Sequence, residues 1–303
     1  MNRKLIRTLL ALLCCLGLSF CASAQVQDSI APIDTLTRNP SQIAIWPGLG
    51  TLGKGDRDSR TDFSFFLLGG RSLENHKLSI AGLFASTYQL HRGVQLSGLA
   101  NIGHGRVQGA QVAGLYNRAD TLSGLQLGLI NRVDTVEKGL PIGLISFVKT
   151  GYHVIELSFD ETFRLNAAML FGLRKFHSIL ALGYGHRNEG LQAWYIGYGI
   201  GTAPRLGESL SLTMQLSSMW LDNANAPSFN LLNRFVLGLE YMLGDHFGIQ
   251  GGVQFNGMIY ETATSFPAYV MPQRQEPLYR EPIGNGYTLQ IYPGARLALR
   301  VRW

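Results

Sequence analysis

Apolar and polar positions alternate along most of the chain, most cleanly after residue 152. Over 208–220, Leu210, Leu212, Met214 and Leu216 share one face, against Ser209, Ser211, Thr213, Gln215 and Ser217 on the other. Over 247–259, Phe247, Ile249, Val253, Phe255 and Ile259 oppose Gln250, Gln254 and Asn256. The same period of two recurs over 152–160, 162–173, 177–186, 191–202, 231–243 and 287–303. A period of two predicts strands rather than helices. Lipid on one face and water on the other would impose this alternation, and so would a soluble sandwich, so alternation alone leaves both open. The links separate them further. Those at 174–177, 203–208 and 243–246 are tight, whereas 221–230 and 261–286 are long. Pro267, Pro272, Pro277 and Pro282 are expected to keep the last of these out of a ladder. Short turns on one side and long loops on the other is the rule of membrane barrels.

Before residue 152 the pattern is a repeat. The units 78–86, 93–101, 109–117, 124–131 and 139–146 read LSIAGLFAS, GVQLSGLAN, GAQVAGLYN, GLQLGLIN and GLPIGLIS. Their central glycines, Gly82, Gly98, Gly114, Gly128 and Gly143, follow one another at steps of 16, 16, 14 and 15 residues. A unit this small buries no core alone and is stable only beside its copies. Two arrangements are open. The short links favour an antiparallel sheet continuous with the later strands, in which Gly98 lies beside Gly114. A single-strand period instead suits a parallel solenoid, in which Asn101, Asn117 and Asn131 stack in register. Ahead of the repeats, 42–46 is a short strand before Pro47, 52–62 a loop and 61–69 a first full strand.

The phrase G-x-Q-x-x-G-L-x-N, with its GLQLGLIN variant, resembles that of bacterial surface-repeat proteins found in outer-membrane barrels. The segments Tyr198-Gly-Ile-Gly-Thr-Ala-Pro204, Leu231-Leu-Asn233 and Leu237-Gly-Leu-Glu-Tyr241 are similar to the barrel part of such proteins. The resemblance implies a place and an architecture, not a reaction. The last strand resembles the C-terminal signal read by the outer-membrane barrel assembly machinery. Arg296 supplies the polar residue, Ala298 the small one (where glycine is usual), and Val301 and Trp303 the alternating apolar end.

The first 24 residues read as a secretory signal: a basic start at Arg3, Lys4 and Arg7, an apolar run over 9–20, and Ala22-Ser-Ala24 as a cleavage site. All three cysteines, Cys14, Cys15 and Cys21, fall inside it, so no disulfide or cysteine metal site is expected beyond it. Cys21 also permits a lipoprotein reading, against which Phe20 stands where a small residue is wanted. The formal charge of +6 becomes +3 without the three basic signal residues, too mild to point to nucleic acid. The organisation read from the chain is a signal over 1–24, a polar leader and loop over 25–60, repeat strands over 61–151 and barrel strands over 152–303.

No reaction emerges from the polar residues. His153, Glu156, Ser158, Asp160 and Glu161 cluster, but Glu156, Ser158 and Asp160 fall on the face opposite His153, out of reach for a nucleophile and its base. Facing Arg164, Arg174, Arg296 and Arg300, these carboxylates are the ordinary content of a wet lumen. The seven histidines show no metal-ligand spacing. Gly183-Tyr-Gly185 and Gly197-Tyr-Gly199 lie within strands with no helix following, so they cradle no phosphate. Trp194, Tyr198, Trp220, Tyr241, Tyr260 and Trp303 suit interface girdles.

These readings together predict an all-β chain forming one antiparallel transmembrane barrel of about 14 strands, with 12 to 16 tolerated. No catalytic, cofactor-binding or metal site is expected. The expected partners are outer-membrane lipid and the assembly machinery. The expected role is a non-enzymatic structural or passive-pore surface protein. The alternatives are a surface adhesin with solenoid repeats on a smaller C-terminal barrel, and a lipid-modifying barrel enzyme.

Overall fold

The computed structural model describes residues 38–188, 191–223, 229–262 and 276–303. The signal read over 1–24 lies outside them. The described chain is all-β apart from one 3-10 turn at Gly53–Asp58, and it forms two sheets rather than one.

The first sheet is a parallel stack. It begins with β1 (Arg38–Trp46), capped by the short antiparallel β2 (Leu49–Gly50), and continues through β3 (Arg60–Phe66), β4 (Gly69–Ala81) and β5 (Phe84–Ser97). β6 (Ala100–Gly103) and β7 (Arg106–Ala113) together form the next layer. β8 (Tyr116–Leu127), β9 (Ile130–Ile142) and β10 (Ile145–Val148) complete the stack. Every coil pairs with the next in parallel, so Gly98 does not meet Gly114 antiparallel. Asn101 pairs with Asn117 and Asn117 with Asn131, in register. The repeats are therefore the solenoid, and the expectation of barrel strands over 61–151 is corrected.

Each coil reverses twice. One bend is the Gly–Leu pair. There a Cβ on Gly98 would run into the carbonyl oxygen of Gly82, and one on Gly143 into that of Gly128. The repeat glycines are thus required by coil stacked directly on coil. The other bend carries Gly93 and Gly109 at φ +97° and +133°, a region unfavourable to side chains.

The second sheet closes on itself. Its strands are β11 (Val154–Asp160), β12 (Leu165–Leu173), β13 (Phe176–Asn188), β14 (Leu191–Thr202), β15 (Leu210–Asn223), β16 (Asn230–Met242), β17 (Phe247–Glu261) and, after β18 (Tyr279–Gly284), the long β19 (Tyr287–Arg302). Successive strands pair antiparallel and β11 closes on β19, giving an eight-stranded barrel. The eight strands read from alternation are these eight. The count of 14 fails because the repeats contribute none of them. β18 is an extra edge strand on β19, and Pro282 lies within it, paired with Thr288, where the prolines were expected to prevent pairing. Proline is tolerated because this is an edge. Pro267 and Pro272 lie outside the described residues.

The barrel's polarity is reversed relative to a soluble core. Outward positions such as Leu182, Ile196, Leu216, Leu239, Val253 and Leu299 are exposed and apolar, while Glu156, Arg234, Glu240, Gln254 and Arg300 are buried inside. On β17 the outward run from Phe247 to Ile259 covers roughly 30 Å along the barrel axis at ordinary strand rise and tilt. Tyr184, Trp194 and Trp220 line one end of this belt, with Trp194 and Trp220 edge to face at 5.5 Å. Tyr241, Phe247 and Trp303 lie toward the other end. Tyr260, read as a girdle residue, points inward and is buried.

Candidate functional site: the charged barrel interior and the coil junction

An eight-stranded barrel has an interior just wide enough to be filled by side chains, and here ion-paired charges share it with apolar and aromatic ones such as Leu170, Leu221, Leu232, Met258 and Tyr195. Because successive residues alternate faces, Arg296, Ala298, Arg300 and Arg302 of β19 all point inward, opposite Glu156, Ser158 and Asp160 of β11. The Glu156 carboxylate accepts from Nε of Arg300 at 2.7 Å, with Nη2 of the same guanidinium at 2.5 Å in ion-pair contact, and accepts a second bond from Arg296. Glu240 of β16 accepts from Arg302 at 2.7 Å, from Arg300 at 3.3 Å and from the Tyr152 hydroxyl at 3.1 Å, with Arg174 at 3.8 Å. A second group sits toward the end where β11 turns into β12. Asp160 accepts from Arg234 at 2.7 Å, and Glu161 accepts from Gln254, Asn256 and the Ala295 amide.

Glu156, Ser158 and Asp160 face inward as read, and Arg174, Arg296 and Arg300 join them. Arg164 does not, being exposed. Alternation alone does not place Arg234, Glu240 or Arg302 in this group, whereas Glu161, part of the acidic cluster read from the sequence, joins its second half. Arg234 and Glu240 sit on the inward face of β16 among Leu232 and Val236, and the partners lie 60 or more residues away in most of the bonds above. Only barrel closure brings them together.

Chemically, each carboxylate is saturated by guanidinium and amide donors. Arg234 and Arg300 are each 1% exposed, so the lumen is packed rather than open. Glycine makes room for the remaining bulk: a Cβ on Gly183 would strike the Tyr195 ring, whose hydroxyl donates to Asn166 at 2.7 Å. Among the described residues no group of three or more His, Cys, Asp or Glu is placed to hold a metal ion.

The solenoid interior is polar at its Gly–Leu edge. Asn101 donates to Asn117 at 3.0 Å, Asn117 to Asn131 at 2.9 Å and Asn131 to the Ser146 hydroxyl at 3.3 Å. The same amides bond the carbonyls that precede the next bend, at Val112, Leu127 and Ile142. Gln126 donates to Gln111 and Gln111 to Gln95, at 2.6 and 2.8 Å. That second ladder stops where Pro141 takes the glutamine position. At the opposite edge the interior is apolar, built from Val107, Ala119, Leu122, Val133 and Val148. His91 is fully buried there, and desolvation pushes its pKa down to about 4.

Coil and barrel meet at the end of the barrel that carries the short turns. The His153 ring lies 2.5 Å from the Val148 carbonyl and stacks on Phe147 at 4.7 Å. Trp303 packs on both, at 5.2 and 6.0 Å between ring centres. His153 keeps the outward direction read from its strand but is covered by the last coil. Of the other assembly-signal residues, Arg296 and Ala298 face the lumen and Val301 faces out. Higher on the barrel wall, the Tyr198 hydroxyl donates to the Gly143 carbonyl at 3.1 Å.

The fold and interior define a closed eight-stranded antiparallel barrel, apolar outside and ion-paired inside, joined to a parallel β-solenoid. No family model matches the chain, and no curated protein is detectably similar to it.

Proposed function

We propose that the protein is a non-enzymatic outer-membrane β-barrel whose role is structural: a lipid-embedded anchor that carries the repeat solenoid. The observation that carries this is the inversion of the barrel, with exposed leucines, isoleucines and aromatics outside and buried arginine–carboxylate pairs inside. An exposed apolar surface this continuous is not left in water. The belt of roughly 30 Å, with aromatics toward both ends, suits a bilayer. The resemblance of the repeats to surface-repeat proteins and of 296–303 to an assembly signal supports export to the outer membrane, with lipid and the assembly machinery as partners.

The filled lumen favours an anchor over a passive pore. The solenoid joins the short-turn end, which in outer-membrane barrels faces the periplasm, and this argues against a surface-exposed adhesin. Extraction of membranes with alkaline carbonate should leave the protein in the pellet, whereas release into the supernatant contradicts the anchor. Reconstituted in planar bilayers, it should give no steady solute conductance. Steady channels would restore the pore.

A further inference from the structure

The solenoid changes polarity from one edge to the other, and the change affects inside and outside in opposite senses. At the charged edge, Val107, Leu122 and Val133 fill the interior and Arg92, Arg132 and Lys138 lie at the surface, the ordinary arrangement in water. At the Gly–Leu edge the arrangement is inverted. Glutamine and asparagine ladders fill the interior, and the surface carries Leu83, Leu99, Leu129 and Leu144, each 39–51% exposed. Columns of apolar residues continue down the adjoining leg, as in Phe65, Ile80, Leu96, Val112, Leu127 and Ile142. This is the same inversion that the barrel shows.

Three further observations identify what covers this edge. Polar groups in lipid must be satisfied internally, and the ladder amides donate to one another and to the bend carbonyls, with Gln126 Oε1 at the ladder's end left unpaired, while coil-to-coil pairing uses the backbone. The edge is also continuous with the barrel's apolar belt. Gly143 touches Tyr198 on the outer wall, and four residues later Phe147 reaches Trp303 at the rim. Between edge and wall runs an apolar groove of about 490 Å³, lined among others by Val112, Leu127, Leu129, Leu144 and Tyr198. Its lining suits an acyl chain.

We propose that the solenoid is itself half-immersed: its Gly–Leu edge lies among lipid acyl chains beside the barrel, and its charged edge stays in water. This rests on the membrane-barrel reading, and it adds a second lipid-binding surface that does not span the bilayer.

Single cysteines at Leu99, Leu129, Lys138 and Leu237, in the full chain with Cys14, Cys15 and Cys21 replaced by serine, would carry an environment-sensitive fluorophore. The protein is reconstituted in phosphatidylcholine vesicles containing lipid with a quencher on its acyl chain. All four sites are on the surface, so the fold tolerates the label. Labels at Leu99 and Leu129 should lose fluorescence to the same extent as the label at Leu237 on the barrel belt, and the label at Lys138 should keep it. Quenching at Leu237 with none at Leu99 and Leu129 overturns the half-immersed solenoid and leaves the barrel in the membrane, as when a second copy covers the edge. No quenching at any site overturns both.

Discussion

At the scale of single residues, position decides what a charge is worth. Glu240 is buried among Arg300, Arg302 and Tyr152. Removing one partner of a buried pair leaves the others uncompensated, at a cost of about 3–5 kcal/mol. Glu240→Gln should therefore lower the unfolding free energy by that order in a urea titration of the reconstituted protein. Glu137 pairs with Arg106 at the solenoid surface, where both are substantially exposed. Such pairs contribute no more than about 1 kcal/mol, so Glu137→Gln should shift the same titration little. Equal effects would contradict the assignment of Glu240 to a dry interior. His91 supplies the pH dependence. Its folded pKa is depressed to about 4 by burial, so the unfolded chain binds the proton more readily as the pH falls. Solenoid stability should be full above roughly pH 6.5 and decline toward pH 4, by up to about 3 kcal/mol. His91→Leu should flatten that decline, as read by circular dichroism during thermal unfolding at several pH values.

At the scale of elements, the two sheets were unequally legible. All eight barrel strands could be read, because alternation is a local signal and each strand shows it alone. The repeat was legible as a repeat, and its step of about one coil pointed to stacking, but the direction of pairing was not. A Gly–Leu bend joins strands equally well in an antiparallel hairpin, and the second bend, at Gly93 and its counterparts, looks like part of a strand in the sequence. What separates the two is long-range: the asparagine ladder at 16- and 14-residue separations, which an antiparallel pairing would break. The charged lumen was half legible for the same reason. Glu156 and Arg300 could be placed on inward faces, whereas their meeting depends on closure of β11 against β19. The ladder is testable. Asn117→Ala removes two donated bonds and one of the acceptors of the Asn101 amide, which should cost on the order of 1–3 kcal/mol. Gly114→Ala sets a Cβ 2.5 Å from the Gly98 carbonyl oxygen and should destabilise the stack by about 1–3 kcal/mol, whereas Gly55→Ala, in open space, should not. A stable, unchanged Gly114→Ala variant would contradict the parallel stacking of the coils.

At the scale of the whole molecule, one junction joins the solenoid to the barrel and places Trp303 in two roles. The terminal aromatic belongs to the strand that closes the barrel, and its ring packs on Phe147 and His153 of the coil connection. Trp303→Ala should reduce folded yield in the outer membrane. Leu221, at the start of the link read over 221–230, is buried inside the barrel and cannot serve as a control. Leu182, exposed in the middle of the belt, is the better comparison, and Leu182→Ala should leave the yield unchanged. Equal yields from both variants would remove the argument from the last strand. The central proposal is that this barrel, closed by the pairing of β11 with β19 around its paired charges, is an integral membrane protein. Electrophoresis of outer-membrane fractions, with and without boiling in detergent, tests it most directly. The account predicts a compact, faster-migrating form in the unheated sample that shifts to the position of the unfolded chain on heating. Recovery of the protein in the soluble periplasmic fraction, migrating alike before and after heating, would contradict it.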